Sequence, residues 1–216
     1  MSSDPADLPD DAPRWQRRAE ERPGEIMRAG LELFAHNGFA ATRLEDIAEA
    51  AGVSKATIYL YFKNKQDLFA AMVREYAAAR VERIESFLDE YDGSYADLLE
   101  AVMRQLYETV QTPELRAIIK TLIAEAGNFE EIRNYHRDHV VLKGLGMMRR
   151  IIEGGVKAGE FRPCDPDATV QSVVFPFLMN SIGRHTFGEL PQFDPEALFA
   201  SHLEFVKRGL AVDREA

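Results

Sequence analysis

The chain is short of several things, and each shortage removes a class of protein. Its 216 residues contain a single cysteine, Cys164. No disulfide can form within the chain, which fits a reducing cytoplasm. No apolar run reaches the roughly 18 residues that a membrane-spanning helix needs. The first residues, MSSDPADLPDDAP, are acidic and proline-rich and lack an apolar stretch, so they read as a disordered tail rather than a signal peptide. Sustained alternation of β-branched residues is missing, which argues against a sheet. There is no glycine-rich phosphate loop, no nucleophile elbow and no metal-spaced carboxylate cluster, so nothing points to an enzyme. His136 and His139 stand three apart on a helical pattern, but a helical di-iron site wants Glu-x-x-His, and no histidine here has a glutamate three residues before it. No metal and no cofactor are expected.

What is present is helical periodicity and an uneven charge. The net charge is −10. Residues 1–13 carry four aspartates and no base, residues 14–69 carry nine Lys/Arg against eight Asp/Glu, and residues 70–216 carry 17 against 24. Inside the middle segment, VSKATIYLYFKNK, from Val53 to Lys65, holds three lysines among aromatics and no acid. An acidic protein keeps one basic, aromatic patch.

A first helix is expected from about Arg17 or Arg22 to His36, stopped by Asn37-Gly38. TRLEDIAEAAG follows, with Thr42 as N-cap and Glu45 at the third helical position, the arrangement of a capping box. Gly52-Val53 makes a tight turn. Ser54 caps a short helix, Lys55 to Tyr61. Asn64 caps a longer one running to about Leu88 or Tyr91. Two short helices joined by a three- or four-residue turn containing glycine are the helix-turn-helix pattern. On a helical wheel, Ile58 and Phe62 lie about 40° apart and form the buried edge of the second helix. Ala56, Thr57 and Leu60 point away from it. A small Ala56, the hydroxyl and methyl of Thr57, and Leu60 beside a thymine methyl suit the reading of base edges. Lys55, Tyr59, Tyr61 and Lys65 suit phosphates, which fix register without reading sequence. Thr42 and Arg43 begin the preceding helix, a second phosphate-facing N-terminus.

These residues carry a family resemblance. IMRAGLELFAHNGFAATRLEDIAEAAGVSKATIYLYFKNKQDLFAAMV resembles the N-terminal DNA-binding domain of TetR-family transcriptional regulators over about residues 22–73. The motifs are NGF after the first helix, T-x-x-x-x-IA-x-x-AGVS, and T-I-Y-x-Y-F-x-N-K-x-x-L. Thr42, Tyr59, Tyr61 and Lys65 match phosphate contacts of that family, and Ala56, Thr57 and Leu60 match positions near bases. Ala56 stands where glycine is common and Tyr61 where histidine is common, which leaves the operator sequence open. The resemblance implies an all-α homodimer that binds a palindromic double-stranded DNA operator, usually as a repressor released by a small-molecule effector, and the cysteine count makes the expected location cytoplasmic. An activator, or a DNA binder without an effector, is the alternative. The organisation expected is a tail over 1–16, a three-helix helix-turn-helix domain over 17–64, and a larger helical effector-binding and dimerisation bundle over 65–216.

The later sequence supplies helices at about 94–111, from Thr112-Pro113, at about 129–159, and at about 166–187 and 195–211, each of the last two opened by Asp-Pro. Pro176 is expected to kink the helix it sits in. TPELRAIIKTLIAEAGNFEEIRNYHRDHV and GVKAGEFRP resemble C-terminal domains common in one branch of the family. For a ligand cavity, Phe87, Leu106, Ile118, Leu122, Phe129, Tyr135, His139, Met147 and Met148 are the candidates, because methionine and aromatic side chains line adaptable sites. The resemblance places the dimer interface on the last two helices. Their apolar residues Val173, Val174, Phe177, Leu178, Ile182, Phe199, Leu203 and Val206 are the candidates there.

Overall fold

The computed structural model describes residues 14–125, 127–187 and 194–212, with side chains from residue 21 and without those of 184–187. Among the described residues every regular element is helical, and no helix is long and apolar enough to cross a membrane. The tail expected over 1–16 lies outside the described residues up to 13. Helix α1 already begins at Arg14 and runs Arg14–Asn37.

The chain divides into two compact units, Met1–Met72 and Val73–Ala216. The first holds α1, α2 (Leu44–Ala50), α3 (Lys55–Tyr61) and most of α4 (Lys65–Val73). Its boundary falls later than the expected 64/65 because α4 contributes Leu68, Phe69 and Met72 to the core, where they are fully buried. Phe34, Phe39 and Phe69 meet in that core with ring centroids 4.9–6.1 Å apart. Gly30 lets α4 come close to α1: a Cβ there would stand 2.5 Å from Met72 Cε.

The turn between α2 and α3 is built by its backbone. Gly52 has φ +65°, a left-handed conformation that glycine adopts without strain. Its N–H donates to the Glu49 carbonyl, and the Val53 N–H reaches back to Ala48 at 2.9 Å. This pair of bonds is a Schellman motif, which ends α2 and satisfies its last carbonyls. Ser54 Oγ then accepts from the Thr57 N–H at 3.1 Å and starts α3. Asn64 does the same for α4, accepting from the Asp67 N–H at 2.8 Å. The start of α2 differs from expectation by one residue. Its N-cap is Arg43, whose N–H donates to Asp46 Oδ2 at 3.0 Å, so Asp46 rather than Glu45 closes the cap.

The second unit begins with a π-helical turn, Arg74–Ala78, and α5 (Ala79–Glu90). Then come α6 (Tyr95–Gln111), α7 (Pro113–Glu125), α8 (Glu130–His136), a second π-turn (Arg137–Val141), α9 (Leu142–Ala158), α10 (Pro166–Phe187) and α11 (Pro195–Leu210). The stretch expected as one helix over 129–159 is thus α8 and α9 with a π-turn between them. The two π-turns pack against each other. Helix α6 is central, touching α7, α9, α10 and α11. Its Leu99, Met103 and Tyr107 join Ile151, Ile152, Val173, Phe177 and Phe199 in the core. Gly155 of α9 is there for Phe161, whose ring would lie 2.1 Å from an added Cβ. Helix α10 continues through Pro176.

Candidate nucleic-acid interface and ligand cavity

Helix α3 is anchored from beneath by Ile58, fully buried, and by Phe62 just beyond its end. That anchor turns the opposite edge outward. Ala56 and Lys55 are exposed, Tyr59 is 45% exposed and Leu60 81%. Leu60 projects into solvent from the same outward edge. Thr57 and Tyr61 are half-buried. The Thr57 hydroxyl is 2.8 Å from that of Ser54, and the Tyr61 ring tilts against Phe62 with centroids 6.4 Å apart. Arg43 is exposed at the start of α2.

Two of the expected phosphate contacts hold the loop before α2. Thr42 is 1% exposed, and its hydroxyl donates to the Gly38 carbonyl at 2.8 Å. It closes the loop before α2 and does not face solvent. Lys65 extends back over the same loop. Its ammonium donates to the carbonyls of Phe39, Ala40 and Thr42, the last two at 3.2 and 2.8 Å, and lies 4.4 Å from the Phe39 ring centroid. An ammonium has three donors, and three carbonyls take them. Lys65 therefore helps to build the loop.

Sequence reasoning gave Glu45 only a capping role. In the structure its carboxylate lies 2.7 Å from Lys55 Nζ and 3.3 Å from the Tyr59 hydroxyl. The hydrogen bond from Lys55 holds the Glu45 carboxyl below the usual carboxylate range and raises Lys55 in return. Its position in the first turn of α2 was visible in the sequence; its reach to α3 depends on how the turn folds.

In the second unit, a cavity of about 620 Å³ lies between α5 and α6, lined by Arg80, Arg83, Ile84, Phe87, Val102, Gln105, Thr109 and Thr112 among others. Arg80 donates to the Thr112 hydroxyl at 3.1 Å. A second cavity, of about 350 Å³, is lined by Arg116, Ile119, Lys120, Ile123 and Ile182. Of the nine expected pocket residues, only Phe87 lines a described cavity. Ile118, Met147 and Met148 are buried core. Leu106, Leu122 and Phe129 are half-buried, and Phe129 precedes α8 as its N-cap residue. Tyr135 stacks on the exposed His139 at 4.3 Å. The arginines, glutamine and threonines of the larger cavity were missed, because nothing in their spacing separates them from solvated helix positions. Nearby in sequence, His136 buries its Nδ1 without a hydrogen-bond partner. Burial pushes its pKa down to about 4.

The last two helices separate core from surface more sharply than the sequence does. Val173, Val174, Phe177 and Phe199, expected at an interface, are buried inside their own unit. Leu178, Leu203 and Val206 pack partly against the same core, and Ile182 is half-buried. The outward stripe of α10 is Ala168, Ser172, Phe175 and Met179, and α11 adds Phe205, 73% exposed. Between them lies a groove of about 460 Å³ that includes Ala168, Ser172, His202 and Phe205.

Comparison with known proteins returns consistent matches. A family model described as bacterial regulatory proteins, tetR family, matches residues 26–72. Another, described as tetracyclin repressor-like, C-terminal domain, matches residues 91–198. The fatty acid metabolism regulator protein of Bacillus subtilis (strain 168) is 26% identical over 187 residues, covering 86% of this chain and 94% of its own. The uncharacterized HTH-type transcriptional regulator YhgD of the same organism is 30% identical over 156 residues, 69% of this chain and 76% of its own. Among solved structures, the transcriptional regulator FadR from Bacillus subtilis in complex with stearoyl-CoA matches with a TM-score of 0.68 and 27% identity, covering 87% of this chain and 98% of the other.

Proposed function

This chain belongs to the TetR family of DNA-binding transcriptional regulators, and on that premise we propose that it is a cytoplasmic repressor that binds a palindromic operator as a homodimer and is released by an acyl-CoA-type effector. The observation that carries the DNA-binding part is the outward edge of α3. Ala56, Thr57 and Leu60 meet base edges, while Arg43, Lys55, Tyr59 and Tyr61 meet phosphate. Two such helices enter successive major grooves, about 34–36 Å apart. The dimer forms through the exposed stripe of α10 and Phe205 of α11, whose apolar side chains are otherwise in water.

The effector reading is supported by the cavity between α5 and α6 and by the stearoyl-CoA complex of a relative. Its volume lies within the range of about 300–1,000 Å³ usual for ligand sites. Ile84, Phe87 and Val102 offer an apolar wall, and Arg80 and Arg83 offer charge for phosphates. The chain leaves the DNA-binding unit along α4 and enters the second unit through a π-turn and α5, which carries four of these residues. An effector that prefers one arrangement of that path shifts operator affinity by its difference in affinity between the two states and by no more.

The test starts from duplexes selected out of a random pool by the protein. Palmitoyl-CoA is expected to release the selected DNA, whereas coenzyme A alone is not. Arg83→Ala is expected to weaken palmitoyl-CoA about tenfold with DNA binding intact, a loss in the usual range for one charge-assisted contact. Release by no acyl-CoA would remove the effector reading and leave DNA binding standing.

A further inference from the structure

Glu45 places a negative charge against the outward edge of α3, beside Lys55. A single oxygen, Oε1, lies 2.7 Å from Lys55 Nζ and accepts from the Tyr59 hydroxyl at 3.3 Å. Lys55 and Tyr59 are one turn apart on α3, so both polar ends converge on it. The side chains of Lys55 and Glu45 are 67% and 41% exposed. An ion pair so open to water adds little to fold stability, so its presence is better explained by what approaches this face. A DNA phosphate arriving there finds two of its donors already held by a carboxylate.

We propose that Glu45 is a positioning residue that competes with the DNA phosphate for Lys55 and Tyr59 and thereby weakens binding to DNA of any sequence. The proposal rests on α3 being the DNA-contacting element. When phosphate displaces the carboxylate, Glu45 is left beside the DNA and takes up a cation from solvent. That uptake offsets about one of the counterions that the DNA releases on binding. Non-specific complexes consist almost wholly of phosphate contacts and bear this penalty in full. A specific operator carries the same penalty but adds base contacts to the phosphate contacts, so it stays bound under conditions in which non-specific DNA is shed.

The experiment uses the full chain and a mixed-sequence DNA duplex, with affinity followed by fluorescence anisotropy between about 50 and 200 mM salt, the range over which phosphate-dominated binding changes most. Glu45→Gln is expected to bind roughly 3- to 10-fold tighter than wild type and to steepen the dependence of log K on log salt by about one. Lys55→Gln is expected to bind more weakly. In a Lys55→Gln, Tyr59→Phe background the gain from Glu45→Gln should shrink to less than about twofold, because the donors it would liberate are gone. Melting temperatures of all variants should stay together. Equal or weaker binding by Glu45→Gln overturns the proposal, as does an undiminished gain in the double background, which would reduce Glu45 to a diffuse charge. Lys55→Gln binding like wild type would instead overturn the reading of α3 itself, and the proposal with it.

Discussion

The Lys65 ammonium donates to the Thr42 main-chain carbonyl at 2.8 Å across 23 residues of sequence. With the carbonyls of Phe39 and Ala40 it forms a clasp over the loop that delivers the chain into α2. Hydrogen bonds from a charged donor contribute about 1.5–3 kcal/mol each in favourable cases. Lys65→Met is therefore expected to destabilise the DNA-binding unit by about 2 kcal/mol, read by thermal unfolding. Lys55→Gln, at an exposed position, should leave the melting temperature unchanged. A Lys65→Met protein with wild-type melting and weakened DNA binding would return Lys65 to the role of phosphate contact.

Exposed Phe205 and buried Val173 separate the proposed dimer interface from the core. Phe205→Glu puts a charge on the outward stripe and is expected to yield a folded monomer, seen as a halved mass by light scattering. Val173→Glu buries an unpaired carboxylate and is expected to prevent folding. A Phe205→Glu protein that keeps the wild-type mass would move the dimer interface elsewhere.

Two glycines of α9 make an internal contrast. Gly155→Ala drives a Cβ against the buried ring of Phe161 and should cost about 2 kcal/mol, as overpacking does. At Gly144 an added Cβ meets nothing within 4 Å. Alanine there should stabilise by about 0.5–1 kcal/mol through helix propensity alone. Urea unfolding of both variants checks the opposite signs.

His136 makes stability depend on pH. Burial lowers its pKa to about 4 from an ordinary 6.5. Between those values the unfolded chain binds a proton that the folded chain refuses. Stability is retained above pH 6.5 and falls as the medium is acidified toward 4, at about 1.4 kcal/mol per pH unit from this group. In His136→Leu that part of the slope should vanish, so the difference between wild type and variant changes between pH 7 and 5. A constant difference across that range would mean that the ring protonates normally in the folded state.

The three-helix reading was legible because its signals are local. Gly52 at the left-handed turn, Ser54 and Asn64 as caps, and the Ile58–Phe62 edge each act within one or two turns of backbone. What the sequence misplaced depends on how the loop before α2 closes and how the helices pack. Thr42 looks like an N-cap until the Gly38 carbonyl is seen to take its hydroxyl, and Lys65 looks like a surface charge until the loop folds beneath it. In α10, apolar residues surround the axis, so periodicity alone cannot assign Phe177 to the core and Phe175 to the surface. The cavity between α5 and α6 is lined by arginines and threonines whose convergence exists only after the helices pack.

The claim that α3 reads DNA is tested most directly at Ala56. This residue is small, exposed and outside the core, so Ala56→Glu should leave melting unchanged while setting a charge against the base edges and phosphates. On duplexes selected from a random pool by wild-type protein, Ala56→Glu is expected to lose at least about 100-fold in affinity, since one charge placed against DNA forfeits contacts of about 1–3 kcal/mol and adds repulsion. Binding of Ala56→Glu at wild-type affinity would contradict the assignment of the outer face of α3 to DNA.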